Sequence, residues 1–228
     1  EYRNVLTRSR DQGQSWETPR VLPDYDWSGT ECPGLCVIEN GDILVSVYQR
    51  KFPTPEAAAT QPDLLGAVRR NPFPWTSGHG GTYVHRSFDG GWTWSETVEV
   101  GTQPYISGYS HRGAVELADG TLLLPLAAAD PFYDIYFTEQ RHWEGDPLGN
   151  ERNGDGSIKV GKSAAFVAIS RDGGHSWHET REIARDPAVN FYEPALTCLA
   201  SGRLICHLRS SDEGEEYLYQ VTSDDNGL

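Results

Sequence analysis

The octet SRDGGHSW, residues 170–177, decides the fold, because the chain repeats its pattern three more times. It recurs as SRDQGQSW at 9–16 and SFDGGWTW at 87–94, and a fourth copy, SDDNG, starts at Ser223 and meets the end of the sequence at Leu228. The shared pattern is S-x-D-x-G-x-[ST]-W, with aspartates at positions 11, 89, 172 and 225. Chance rarely produces one such octet, so four in register mark an internal repeat. In each, the Asp carboxylate can accept hydrogen bonds from turn amides and from the Ser or Thr hydroxyl. The central Gly permits a left-handed backbone and the Trp is expected between neighbouring sheets. A calcium-binding or catalytic carboxylate is the competing reading. A self-contained turn explains every residue of the pattern, so the octets are assigned to the scaffold.

A second element keeps phase with the first. ENGDILV (39–45), ADGTLLL (118–124) and ASGRLIC (200–206) each read as two strands joined by a tight turn, with Asn-Gly, Asp-Gly and Ser-Gly supplying positive backbone dihedrals. From octet aspartate to turn glycine the spacing is 30, 31 and 30 residues (11 to 41, 89 to 120, 172 to 202). The last full unit is about 53 residues long, and the two earlier ones carry insertions near 51–80 and 127–162. Four short strands per unit at this period predict an all-β fold, a β-propeller of four-stranded blades. The glycine turn then joins strands 1 and 2, and the octet joins strands 3 and 4. Strand alternation places both on one face, and both insertions on the other.

Composition sets outer limits. The 228 residues include 24 Gly, 14 Pro, no Met and a formal net charge of −14. That charge argues against nucleic acid or an anionic membrane as partner. No apolar run approaches the ~18–20 residues of a membrane-spanning helix. Cys32, Cys36, Cys198 and Cys206 lack zinc-like CxxC pairing. Cys198 and Cys206 flank a turn, which leaves a cross-strand disulfide open beside free thiols. No metal or cofactor is expected. The absent methionine and the octet stopped at its sixth position lead us to expect a piece of a longer reading frame.

YEPALTCLASGRLICHLRSSDEGEEYLYQVTSDDNG (192–227) and NVLTRSRDQGQSW (4–16) resemble the sialidase superfamily, the bacterial-neuraminidase-repeat propellers built on Asp boxes. The likeness extends over essentially all of 1–228. It implies a single sialidase-like propeller domain, six-bladed in full with about three and a half blades here. In sialidases a Glu opens this strand and an Arg follows sixteen residues later, as Glu193 and Arg209 do. The implied activity is exo-hydrolysis of terminal sialic acid from glycoconjugates, without a metal, in a secreted or periplasmic protein. A sialic acid carboxylate calls for arginines that bind it bidentately, and for a Tyr nucleophile where a carboxylate would repel it. By the resemblance, Glu193 is the base that activates the Tyr, and Arg209 is one of three substrate arginines. The family's first Arg and its acid Asp precede the first octet, and its third Arg and its Tyr follow residue 228, so neither pair has a counterpart here.

The expected ligand face, opposite the turns, also collects Glu31, His111, Arg112 and Tyr192 at strand-1 starts and Arg50 at a strand-2 end. These are candidate substrate contacts; each could equally be an ordinary rim or strand residue, and Glu193–Arg209 a buried salt bridge. Arg69 and Arg70, near Trp75, could touch a glycan but read better as a solvated loop. NGDG at 153–156 lacks calcium-loop spacing and reads as a turn. His111 and Tyr192 keep open a polysaccharide lyase, and a non-catalytic glycan- or protein-binding propeller is the third reading.

Overall fold

The computed structural model describes residues 3–23, 29–50, 69–70, 76–77, 80–95, 97–105, 108–109, 112–129, 162–211 and 217–227. Among them every regular element is a strand, and no helix is long and apolar enough to cross a membrane. β1 (Val5–Leu6) and β2 (Arg20–Val21) pair across the first octet. β3 (Gly29–Val37) and β4 (Ile43–Arg50) follow; β5 (Arg69–Arg70) and β6 (Thr76–Ser77) make a small hairpin in the first insertion. β7 (Gly80–Ser87) and β8 (Val98–Glu99) then complete a sheet of order β3-β4-β7-β8. The next sheet comprises β9 (Val115–Glu116), β10 (Leu122–Ala129), β11 (Ser163–Ser170) and β12 (Glu179–Ala184), again in sequence order. β13 (Asn190–Cys198), β14 (Leu204–Ser211) and β15 (Leu218–Ser223) form the last sheet. All pairings are antiparallel neighbours, the topology of propeller blades.

The glycine turns are one structure used three times. Gly41 N donates to Ile38 O at 2.8 Å and Ile38 N to Asp42 O at 3.0 Å, and the same pair of bonds recurs at Leu117–Thr121 and Leu199–Arg203. Only the glycines take positive φ (90°, 81° and 86° at Gly41, Gly120 and Gly202); the preceding Asn40, Asp119 and Ser201 do not, contrary to the sequence expectation. A three-residue loop ending in a left-handed glycine needs that conformation at one position only.

The octets close as their chemistry dictates. Ser170 Oγ donates to Asp172 Oδ1 at 2.7 Å, and Ser176 donates from its amide (2.9 Å) and its hydroxyl (2.6 Å) to the two carboxylate oxygens. Gly174 N completes the turn on Ser170 Oγ at 2.8 Å. The first and second octets repeat the bonds. The Ser15 hydroxyl and amide, with Ser9, hold the Asp11 carboxyl at about 2. Thr93 and Ser87 hold that of Asp89 well below the usual carboxylate range.

The second and third octets then tie their sheets to the elements before them. Trp177 is fully buried with Leu44, Val84 and Val100 of the preceding sheet and Leu122 and Leu124 of its own. Trp94 packs on Leu22, Val45 and Val47. Trp16 departs from the expectation and is 63% exposed. The indoles reach toward the preceding sheet, and among the described residues none precedes β1. Arginines reach the other way. Arg8 donates to the carbonyl of Gly91, and Arg86 to that of Gly173 while pairing with Asp42 at 2.6 Å.

The second insertion begins later than position 127. Ala127, Ala128 and Ala129 extend β10 against Ala165, Ala164 and Ser163, because an unbroken apolar run has a partner strand to bury it. NGDG at 153–156 and Trp75 lie outside the described residues. Cys36, Cys198 and Cys206 carry free thiols. Cys198 faces Leu204 and Cys206 faces Leu196, so the two thiols are not cross-strand partners. Burial pushes the Cys206 thiol up to about 12.

Two outcomes follow from this packing. Trp177→Ala is expected to cost about 3–5 kcal/mol in urea denaturation, and Trp16→Ala under about 0.5 kcal/mol. The octet carboxylates sit below their unfolded value of about 3.9. Their contribution is therefore complete above about pH 4, and for Asp11 is lost as pH falls toward about 2. The melting temperature should drop through that window, and Asn at positions 11, 89 and 172 together should flatten the drop.

Candidate functional site

The pairing register separates the two faces. Ile43 meets Ser87 beside the turn and octet, whereas Arg50 meets Gly29 and Gly80 at the opposite end, where the insertion leaves the sheet. On that second face, β13 carries a bulge. Tyr192 opposes Arg209 and Ala195 opposes His207, so Glu193 and Pro194 together face Leu208. Such bulges re-aim a side chain and concentrate beside active sites.

Glu193 sits in the bulge with φ +48°. Its Oε1 accepts from Arg209 Nη2 at 3.0 Å, with the two side chains 38% and 40% exposed. Arg209 Cζ lies 5.0 Å from the centre of the Tyr192 ring, which is buried beneath it. The pair is thus half-exposed among the described residues. Magnitudes decide what kind of residue Glu193 is. A left-handed conformation costs a non-glycine residue roughly 1–2 kcal/mol, and an exposed ion pair returns about 0–1 kcal/mol. The ion pair alone does not offset the cost of the left-handed backbone.

β3 carries the same bulge: Glu31 opposes Tyr48 and Gly34 opposes Ser46, so Cys32 and Pro33 together face Val47, and Cys32 has φ +55°. Counting nine residues back from each turn glycine reaches Cys32, His111 and Glu193. The counterpart of Glu193 in β3 is therefore Cys32, and Glu31 matches Tyr192, so Glu31 precedes the bulge rather than lying in it. The recurring X-Pro (Cys32-Pro33, Glu193-Pro194), in phase with the glycine, was the signal for it. Tyr48 stands where Arg209 stands; it is buried, edge-on to Tyr109 at 6.5 Å.

His111 lies outside the described residues. Arg112 is exposed in a bend before β9, and its carbonyl accepts from Ser46 Oγ at 3.2 Å. That carbonyl packs on Gly34 so closely that a Cβ there would overlap it, and Gly113 packs likewise on the Leu35 carbonyl. The first strands of adjacent sheets thus touch backbone to backbone. Arg50 ends β4 opposite Gly29, and Arg69 and Arg70 form β5. The structure brings together Tyr192, Glu193 and Arg209 in one sheet, while Glu31 and Arg50 share a different one with Cys32. Among the described residues no group of three or more His, Cys, Asp or Glu could hold a metal ion.

A second polar cluster was invisible in the sequence. Tyr105 Oη donates to Glu182 Oε2 at 3.0 Å, and Arg185 donates to both, at 3.1 Å and 2.7 Å. The ring stacks on Phe166 at 4.0 Å, and burial raises the phenol above its ordinary range. These bonds tie the segment after β8 to β12 and the residue that follows it.

Residues 67–228 match the family described as the BNR repeat-like domain, and the chain belongs to that family. No curated protein sequence matches it. Among solved structures it is similar to a protein of unknown function from Dyadobacter fermentans (23% identity, TM-score 0.72, covering 98% of this chain and 55% of that one). It is also similar to the intramolecular trans-sialidase of Ruminococcus gnavus in complex with oseltamivir carboxylate (14%, 0.60, 99% and 62%). A third is the alpha-L-arabinanase of Penicillium chrysogenum complexed with arabinobiose (16%, 0.58, 99% and 56%). The chain therefore spans 55–62% of the length of these three, and the likeness is one of fold.

Glu193→Gly should leave the melting temperature unchanged or raise it, since the relief of a positive φ outweighs an exposed ion pair. A loss of several degrees would make the pair a structural staple. Gly34→Ala should instead destabilise by about 1–3 kcal/mol or more through overpacking against Arg112, read by chemical denaturation.

Proposed function

We propose that this chain is part of an exo-acting glycoside hydrolase of the sialidase type, which releases terminal sialic acid from glycoconjugates. The Glu193–Arg209 pair carries the reading. Its spacing of sixteen residues, its bulge and its half-exposed position all support a site on the face opposite the octets. Fold likeness to a trans-sialidase and to an arabinanase supports carbohydrate chemistry in general.

In this reading Arg209 serves twice. It orients the carboxylate of Glu193, and its remaining N–H groups are donors for a substrate carboxylate. Glu193 takes the phenolic proton of a tyrosine nucleophile as the tyrosine oxygen bonds to the anomeric carbon. The departing glycosidic oxygen receives its proton from a separate acid. Both the tyrosine and the acid are expected from the family resemblance.

The test uses the complete reading frame containing these residues, with fluorogenic α-sialoside and α-L-arabinofuranoside substrates. Sialoside turnover between about pH 4 and 7 is expected. Glu193→Gln and Arg209→Lys should each lower kcat/KM by roughly 10²-fold or more without moving the melting temperature. Cleavage of the arabinoside alone would transfer the protein to another glycosidase class. A folded protein inert towards both would overturn the enzymatic reading, and full activity in either variant would overturn the site.

A further inference from the structure

The second octet differs from the first and third at positions where the scaffold makes no demand. Where those carry Arg10 and Gln14, or Arg171 and His175, it has Phe88 and Trp92. Both rings are exposed, at 68% and 47%, so neither serves the core. Arginines that flank or belong to the first octet gather on Trp92. The guanidinium carbons of Arg8, Arg20 and Arg10 lie 4.3, 4.7 and 5.8 Å from its ring centre.

Charge at this place is not balanced. Glu17 pairs with Arg10 at 3.1 Å and with Arg8 at 3.8 Å, and among the described residues no other acid pairs with the three arginines. Arg20 is exposed, and among the described residues it meets only the Trp92 ring. Three cations thus face one carboxylate within about a Debye length of one another, ~8–10 Å. This local excess of positive charge stands out in a chain whose net charge is −14. Arg8 is held in place by the Gly90 and Gly91 carbonyls, while the N–H fork of Arg20 stays open for an oxyanion, which a guanidinium binds bidentately.

We propose that Arg8, Arg10 and Arg20 with Trp92 form a binding site for an acidic oligosaccharide, a short sugar segment carrying carboxylate or sulfate groups. The guanidiniums take the anionic group, and the exposed aromatic surface of Phe88 and Trp92 takes the C–H faces of the sugar rings. A peptide adding as a strand would find the loop backbone already engaged. The amides of Gly91, Trp92 and Thr93 donate within the octet, and the two glycine carbonyls accept from Arg8. The site lies at the octet end of the strands, away from Glu193 and Arg209, and the inference stands independently of the proposed activity.

Fluorine NMR of the complete reading frame, labelled with fluorotryptophan, tests the site. The Trp92 signal is the one lost in Trp92→Gln, a variant that gives the second octet the Gln14 of the first and so retains the turn. Trigalacturonate and sulfated maltotriose are the acidic probes, with maltotriose and tri-L-glutamate as controls. The Trp92 signal should move with at least one acidic sugar, and the tighter of the two tells carboxylate from sulfate. Arg10→Gln combined with Arg20→Gln should weaken that binding by roughly tenfold or more, and about 0.5 M NaCl should weaken it too. Arg171→Gln combined with Arg203→Gln, which removes two exposed arginines paired elsewhere, should leave it unchanged. A Trp92 signal unmoved by both acidic sugars, or moved as strongly by maltotriose, would overturn the proposal. So would undiminished binding in the Arg10 and Arg20 variant, or equal binding of tri-L-glutamate, which would make the patch a site for acidic peptides.

Discussion

A sheet of four short strands has two faces and too little core of its own, so each blade depends on its neighbours to exclude water. The contact that meets this constraint is an indole clamped between sheets, of which Trp177 is the fully buried example. The octet exists to place that ring. Asp172 closes the turn on Ser176, and Gly174 lets Leu44 and Leu122 approach, so the indole emerges at a fixed angle. Both oxygens of the Asp172 carboxylate are engaged by its own turn.

This division of labour frees the other face. With turns and octets confined to one end of the strands, the opposite end carries bulges, insertions and strand starts. Cys32 and Glu193 occupy the same bulge in different sheets, each in a left-handed conformation before a proline. The backbone device is part of the repeat, while the side chain it displays varies from sheet to sheet: a thiol in one and a carboxylate in another. Gly34 and Gly113 bring β3 and the segment leading into β9 into backbone contact.

Much of this was legible in the sequence because its causes are local and periodic. The octets and glycine turns revealed strand order, the two faces and the positions of Glu193 and Arg209. Three things were not legible. A bulge inserts one residue, so the equivalence of Cys32 and Glu193 was not apparent. Trp16 ends the same octet pattern as Trp177 and has the opposite burial, because burial depends on a sheet elsewhere. Tyr105 and Glu182 are 77 residues apart, in segments that follow no shared period, so nothing announced their hydrogen bond.

The contacts between sheets have a direction. Indoles reach back to the sheet before, and Arg8 and Arg86 reach forward to octet carbonyls of the sheet after. A blade therefore has two unlike sides, plug and socket, and cannot be turned over. Duplication of the coding segment adds units that dock head to tail, each new one presenting the surface its predecessor requires. The number of sheets can change by copying, while the direction in which they stack is inherited unchanged.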